Sequence, residues 1–249
     1  GPIGLQFVAQ PELENRFTRA VGDPLDEEEH RVPNAPGLVH KYPNRALWTV
    51  TYHCGAYCRF CTRGRIVGVP EQNTLTNEQI DQTLKYVQNA PDLNEIILSG
   101  GDGLTIHPEK LNYILTELGQ MKASGKLRVV RIGTRLPIHN PSAIKNAHFE
   151  ALSKIKKPYI MLHINHPEEL TEKSVEVIER IQESCRAELM GQTVLLRGIN
   201  DDEKTLVNLF TRMAEIGVHP YYLFQNDPVP WAKHLTVPLL EGIDLWNKL

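Results

Sequence analysis

His53-Cys54-Gly55-Ala56-Tyr57-Cys58-Arg59-Phe60-Cys61 is the stretch whose reading decides the fold of this chain. It holds three of the four cysteines, spaced C-x3-C-x2-C. Three thiolates on one short loop can hold three irons of a cubane cluster. No further cysteine lies nearby in sequence, so the fourth iron keeps an open position. Such an iron can bind a small molecule and pass it an electron. The competing reading is a zinc site with His53 or a distant residue as fourth ligand. Structural zinc loops usually come as two cysteine or cysteine/histidine halves, and no second half is found here. A disulfide is disfavoured, because three clustered thiols cannot pair evenly and no secretory feature accompanies them.

Outward from the cysteines the pattern is regular. Leu47-Trp48-Thr49-Val50-Thr51-Tyr52 reads as a strand leading into the loop. Further apolar or β-branched runs follow at residues 95–98, 127–132, 159–162, 193–196 and 221–224. Amphipathic segments alternate with them, which is the mark of βα units and a parallel sheet. The first helix starts at Thr76, with Gln79 three places on as a capping box, and carries Ile80, Leu84 and Val87 on one face. Pro108 opens the next helix. Others are expected near residues 142–155, 172–184, 203–216 and 237–249. Six such units are two short of a full (β/α)8 barrel. In a parallel barrel, function sits in the loops after the strands, and the cysteine loop, Ser99-Gly100-Gly101-Asp102, His163 and Asp227 all follow or end strands.

The chain has 249 residues and a formal net charge of −3. That length suits a single domain of barrel type, and the charge argues against a nucleic-acid surface or a membrane-binding face. No apolar run reaches transmembrane length, and Gly1-Pro2-Ile3-Gly4 is no signal peptide. A reducing cytoplasm is the expected location. Residues 1–45, rich in proline and charge, read as an N-terminal extension that packs on the barrel and covers part of its mouth, and residues 46–249 as the core. In the extension, Pro11-Glu12-Leu13-Glu14-Asn15-Arg16-Phe17 can start a short helix. Asp23-Pro24-Leu25-Asp26-Glu27-Glu28-Glu29-His30 reads as exposed, solvated acidic surface. Cys185 reads as a small buried residue.

With C-x3-C-x2-C placed after the first strand, the chain resembles the radical S-adenosylmethionine (SAM) superfamily. The resemblance implies an α/β fold, an open (β/α)6 partial TIM barrel. It implies a [4Fe-4S] cluster on Cys54, Cys58 and Cys61, with SAM chelated at the open iron and cleaved to methionine and a 5'-deoxyadenosyl radical. Ser99, Gly100, Gly101 and Asp102 resemble the superfamily's glycine-rich SAM-binding motif. Taken without the resemblance, the two glycines would serve any tight turn.

Several ordered motifs resemble one family within the superfamily, the lysine 2,3-aminomutases. They are Pro36-Gly37-Leu38-Val39-His40-Lys41-Tyr42-Pro43-Asn44-Arg45, Cys58-Arg59-Phe60-Cys61-Thr62-Arg63, Val130-Arg131-Ile132-Gly133-Thr134-Arg135, His163-Ile164-Asn165-His166-Pro167, Gln192-Thr193-Val194-Leu195-Leu196-Arg197-Gly198-Ile199-Asn200-Asp201 and Pro220-Tyr221-Tyr222-Leu223-Phe224-Gln225-Asn226-Asp227. The resemblance assigns SAM contacts to His163 and Gln192. It assigns the phosphate of pyridoxal 5'-phosphate (PLP) to Lys41, Tyr42 and Arg45, with Lys41 standing where the family usually has arginine and so offering a point charge. It gives Arg63 to the α-carboxylate of the substrate and Asp227 to the distal ammonium of a lysine side chain. Singly, each residue has a plainer role: a solvated guanidinium for Arg45 and Arg63, packing for Tyr42, a core histidine for His163, a turn for Asp227 before Pro228.

The activity so implied is a PLP-dependent isomerase that moves the amino group of L-lysine from C2 to C3. The lysine would be free or already attached to elongation factor P, and a flavodoxin or ferredoxin would be the reductant; a homo-oligomer is left open. Glutamate fits less well, since Asp227 repels its side chain, and arginine stays open. The family's PLP-binding lysine sits in a glycine-rich motif that does not occur here. Lys233 and Lys248 are nearest by position and lack that context, so the chain is expected to be part of a longer protein. Asp202-Glu203-Lys204 follows the Arg-Gly-x-Asn-Asp motif, so the zinc site of some aminomutases is not expected. The alternatives are a radical SAM enzyme without PLP, an arginine or glutamate aminomutase, and a non-enzymatic iron–sulfur or zinc module.

Overall fold

Buried and half-exposed residues alternate along the strands. Ala46, Trp48 and Val50, then Ile96 and Leu98, then Val130 and Ile132 face the helices and are buried. Leu47, Ile97, Ser99 and Arg131 lie between them and line the inside of the sheet. This period of two sets a sheet with helices outside and a cavity within. The computed structural model describes residues 1–14, 22–68 and 74–249.

Seven strands form one sheet in the order β1 (Leu38–Tyr42), β2 (Arg45–Thr51), β3 (Glu95–Gly100), β4 (Val129–Thr134), β5 (Tyr159–His163), β6 (Glu188–Leu195) and β7 (His219–Gln225). β2 to β7 run parallel, and β1 is antiparallel to β2. β1 and β7 stand at the two edges, so the barrel is open. Short helices α1 (Pro2–Leu5) and α2 (Pro11–Glu14) precede the sheet. The others are α3 (Asn77–Asn89), α4 (Pro108–Ala123), α5 (Leu136–His139), α6 (Asn146–Leu152), α7 (Glu172–Cys185), α8 (Glu203–Glu215) and α9 (Leu239–Trp246). Thr76 and Gln79 form the expected capping box of α3, and Pro108 opens α4. Cys185 is buried as expected.

Three expectations need correction. Residues 38–42, left to the lead-in, form a strand of the sheet, with Leu38 opposite Trp48 and Tyr42 opposite Arg45. β6 begins at Glu188, five residues before the expected start, because Gly191 and Gln192 interrupt the apolar run that marks a strand. The acidic run at residues 23–30 is not simply solvated surface. Glu27 is 7% exposed and paired with Arg63, and Asp23 pairs with Arg65. Of the helix expected from Pro11, α2 covers Pro11–Glu14, and residues 15–17 lie outside the described residues. Among the described residues no helix is long and apolar enough to cross a membrane.

Candidate active site

β2 delivers the chain into the cysteine loop at the C-terminal mouth of the sheet. Cys54, Cys58 and Cys61 are free and line one cavity of about 920 Å³. Burial pushes the Cys61 thiol up to about 11 and raises Cys54 as well, so both are neutral until a metal displaces the proton. Among the described residues no three His, Cys, Asp or Glu side chains converge on a single-ion position. A four-iron cube asks for less convergence, since each sulfur meets its own iron. Three soft donors on one loop with N–H groups aimed at two of the sulfurs fit that group. The Ala56 N–H lies 3.5 Å from Cys54 Sγ, and Arg135 Nη1 donates to Cys58 Sγ at 2.8 Å.

Arg135 anchors a buried network drawn from four parts of the chain. Its Nη2 donates to Glu169 Oε1 at 2.7 Å and to Gln6 Oε1 at 2.6 Å. Gln6 Nε2 donates to Glu169 Oε1, and Asn165 Nδ2 donates to Gln6 Oε1. The Arg59 N–H donates to the Gln6 carbonyl at 2.7 Å. The N-terminal segment is thereby fastened beneath the cysteine loop.

β3 ends at Gly100, Gly101 follows it, and the two press against the end of β2 and the start of the cysteine loop. A Cβ on Gly100 would meet Thr51 O at 2.1 Å, and one on Gly101 would meet His53 O at 2.0 Å. The Gly101 N–H donates to Thr51 O and the Asp102 N–H to His53 O. The Asp102 carboxylate is held by Thr134 Oγ1, Arg135 N–H and Leu104 N–H. Gly100, Gly101 and Asp102 line the cavity, and their contacts lock the ends of β2, β3 and β4 together.

His163 and Gln192 face each other across β5 and β6 and line the cavity. Burial, with Arg135 nearby, pushes His163 down to about 3, so the ring is neutral. Asn165 Oδ1 accepts the Val194 N–H, so it must also accept from His163 Nε2 at 3.1 Å. That fixes the proton on Nε2 and leaves Nδ1 as the ring's acceptor. Arg63 lines the cavity with Nη1 donating to Ser99 Oγ at 3.2 Å, while its Nε and Nη2 hold Glu27. Asp227 lines the cavity too. Burial raises its carboxyl above the usual range, and no cation among the described residues offsets this.

The family profile described as the Radical SAM superfamily matches residues 48–210. The chain belongs to the radical SAM superfamily. Membership brings a [4Fe-4S] cluster and SAM with it, and the three cysteines on the matched segment are the set that fits the cluster. The chain is 34% identical over 244 residues to the L-lysine 2,3-aminomutase of Clostridium subterminale, covering 98% of this chain and 57% of that protein. It is 38% identical over 228 residues to the L-lysine 2,3-aminomutase of Escherichia coli (strain K12), covering 91% and 64%. The chain spans between half and two thirds of the length of these curated relatives. The solved structure of Streptococcus suis SuiB bound to S-adenosylmethionine matches with a TM-score of 0.60 at 13% identity, covering 88% of this chain and 48% of that one. That likeness is one of fold.

Against this radical SAM core, the expected PLP residues stand apart. Lys41, Tyr42 and Arg45 flank the β1–β2 turn, at the opposite end of β2 from the cysteines, and do not line the cavity. Lys41 Nζ donates to Leu25 O at 3.2 Å and lies 3.6 Å from Asp26. The Arg45 guanidinium sits 4.9 Å over the Tyr42 ring and 4.0 Å from Glu95 Oε1. Glu95 in turn meets Arg131, which does line the cavity. No lysine lines the cavity among the described residues. Sequence reasoning gave no role to Gln6, Glu27, Arg135 or Glu169. Arg135 was visible in a quoted motif, but nothing in the sequence of the other three marks them as partners of distant arginines.

Proposed function

We propose that this chain forms the radical SAM core of a PLP-dependent 2,3-aminomutase that converts L-lysine, free or attached to a protein, to β-lysine. The observation that carries the proposal is that Arg63 and Asp227 both line the cavity of the three cysteines. A guanidinium for a carboxylate, and a carboxylate with no cation beside it among the described residues for an ammonium, together suit a cationic amino acid. Holding both ends would fix the carbon between them toward the cluster, and Asp227 would disfavour glutamate. When bound, the cluster with SAM supplies hydrogen-atom abstraction from an unactivated carbon, and PLP supplies a path for the migrating nitrogen.

The chain's own residues would divide the work. Cys54, Cys58 and Cys61 hold the irons. Ser99, Gly100 and Gly101 offer backbone and hydroxyl groups to SAM, with Asp102 shaping their turn. His163, through Nδ1, and Gln192 complete the SAM wall. Tyr42 and Arg45, both partly exposed beside the β1–β2 turn, would take the PLP phosphate, with Lys41 adding charge nearby. A small reductant protein such as flavodoxin or ferredoxin, in a reducing cytoplasm, would feed the cluster. A second reading, a radical SAM enzyme without PLP, is favoured by the place of Lys41, Tyr42 and Arg45 at the opposite end of β2 from the cysteines.

The test uses the full-length protein, purified and reconstituted anaerobically with SAM, a reductant, PLP and L-lysine. β-Lysine forming together with 5'-deoxyadenosine is the expected result. Deoxyadenosine release that is the same with L-lysine, L-glutamate or no amino acid would overturn the proposal. Product formation without added or retained PLP would favour the second reading.

A further inference from the structure

An arginine presents two edges to carboxylates: side-on, with Nε and one Nη, and end-on, with both Nη groups. Glu27 takes the side-on edge of Arg63, with Nε donating to Oε2 at 2.8 Å and Nη2 to Oε1 at 2.6 Å. Nη1 donates to Ser99 Oγ on the inner face of β3. Arg63 lines the cavity, whereas Glu27 does not. The carboxylate therefore holds the side-on edge from outside the cavity wall, and on the end-on edge each Nη keeps one N–H beyond its bond to Glu27 or Ser99.

The turn that carries Glu27 is itself braced. Asp23 Oδ2 accepts the Glu28 N–H at 2.9 Å, and Asp26 O meets His30 Nδ1 at 2.9 Å. Two residues beyond Arg63, Arg65 Nη2 meets both Asp23 and Glu28 at 3.1 Å. Lys41 ties the same turn to β1. An arginine on a loop would otherwise sample several rotamers, and a fork is useful only when its plane is fixed. A buried ion pair is weak evidence of stabilisation, so the pairing is better understood as geometry.

We propose that Glu27 is a positioning residue, which clamps Arg63 side-on so that its end-on edge meets the α-carboxylate of the amino-acid substrate. This rests on the reading that Arg63 receives that carboxylate.

The experiment measures binding of L-lysine and of L-lysinamide, which lacks the carboxylate, to the SAM-loaded full-length protein with its cluster kept oxidised so that no turnover occurs. Wild type, Glu27→Gln, Glu27→Asp and Arg63→Met are compared by calorimetry. Wild type should prefer L-lysine. Glu27→Gln should lose about ten- to a hundredfold of that preference, the scale of one charge-assisted hydrogen bond, and Glu27→Asp should recover part of it. The preference is a ratio, so it does not depend on how much of a variant folds. In turnover, the KM for L-lysine should rise more than kcat falls. Tighter L-lysine binding by Glu27→Gln would overturn the proposal and make Glu27 an internal competitor for the fork. An unchanged preference in Glu27→Gln with a lost preference in Arg63→Met would overturn the positioning role alone. An unchanged preference in Arg63→Met, or no saturable L-lysine binding by wild type, would overturn the reading beneath it.

Discussion

Arg135 Nη1 and Cys58 Sγ lie 2.8 Å apart, so a buried guanidinium donates to the sulfur of an expected cluster ligand. Positive charge and hydrogen bonds at sulfur both favour the reduced state of an iron–sulfur cluster. Arg135→Lys keeps the charge but loses the fork that also holds Gln6 and Glu169. Arg135→Met loses both. The midpoint potential should fall in the order wild type, Arg135→Lys, Arg135→Met, as read by an EPR-monitored redox titration. Equal potentials in all three would mean that the contact does not outlast cluster assembly.

The glycines near the ends of β3 and β4 should behave differently from one another. Gly100 has a φ of +133°, and a Cβ there would sit 2.1 Å from a backbone oxygen that cannot move aside. Gly100→Ala should therefore cost about 3 kcal/mol or more, combining strain with overpacking. At Gly133 the nearest atoms to an added Cβ are 3.7 Å away, so Gly133→Ala should be nearly neutral. Thermal denaturation of the two variants checks this.

The strands and the cysteine loop were legible because period-two alternation and cysteine spacing are local signals. Thr76 and Pro108 announced their helices for the same reason. What escaped was encoded by partners far apart in sequence. Glu27 looked like one acid in a solvated run until the fold set it against Arg63, 36 residues on. Gln6 meets Arg135 across 129 residues, and no spacing rule reaches that far. β1 was missed because it turns polar at His40 and exposed at Lys41 and Tyr42, and its pairing with β2 is tertiary.

Acid should weaken the fold through His163. Its folded pKa is depressed from 6.5 to about 3, chiefly by burial. Between those values the unfolded chain binds the proton and the folded chain does not, so stability rises with pH through the window and falls as the solution is acidified from about 6.5 toward 3. The slope from this one group is at most about 1.4 kcal/mol per pH unit. His163→Gln should flatten that part of the pH–stability profile measured by denaturant titration, whereas a parallel profile would place the acid sensitivity elsewhere.

Asp227 should show the opposite balance between stability and function. Burial raises its carboxyl above the reference of 3.8, with no cation among the described residues to offset the cost. Below that reference both folded and unfolded carboxyls are protonated and the cost is absent; above the raised folded value it is fully present. At neutral pH, Asp227→Asn should thus leave the melting temperature unchanged or raise it. The same change should remove about ten- to a hundredfold of any preference for L-lysine over L-norleucine, whose side chain ends without an ammonium. Stability and selectivity moving in opposite directions is what a carboxylate held ready for a cationic ligand predicts. A carboxylate that merely shapes the turn before Pro228 would lose stability on substitution and leave the preference intact.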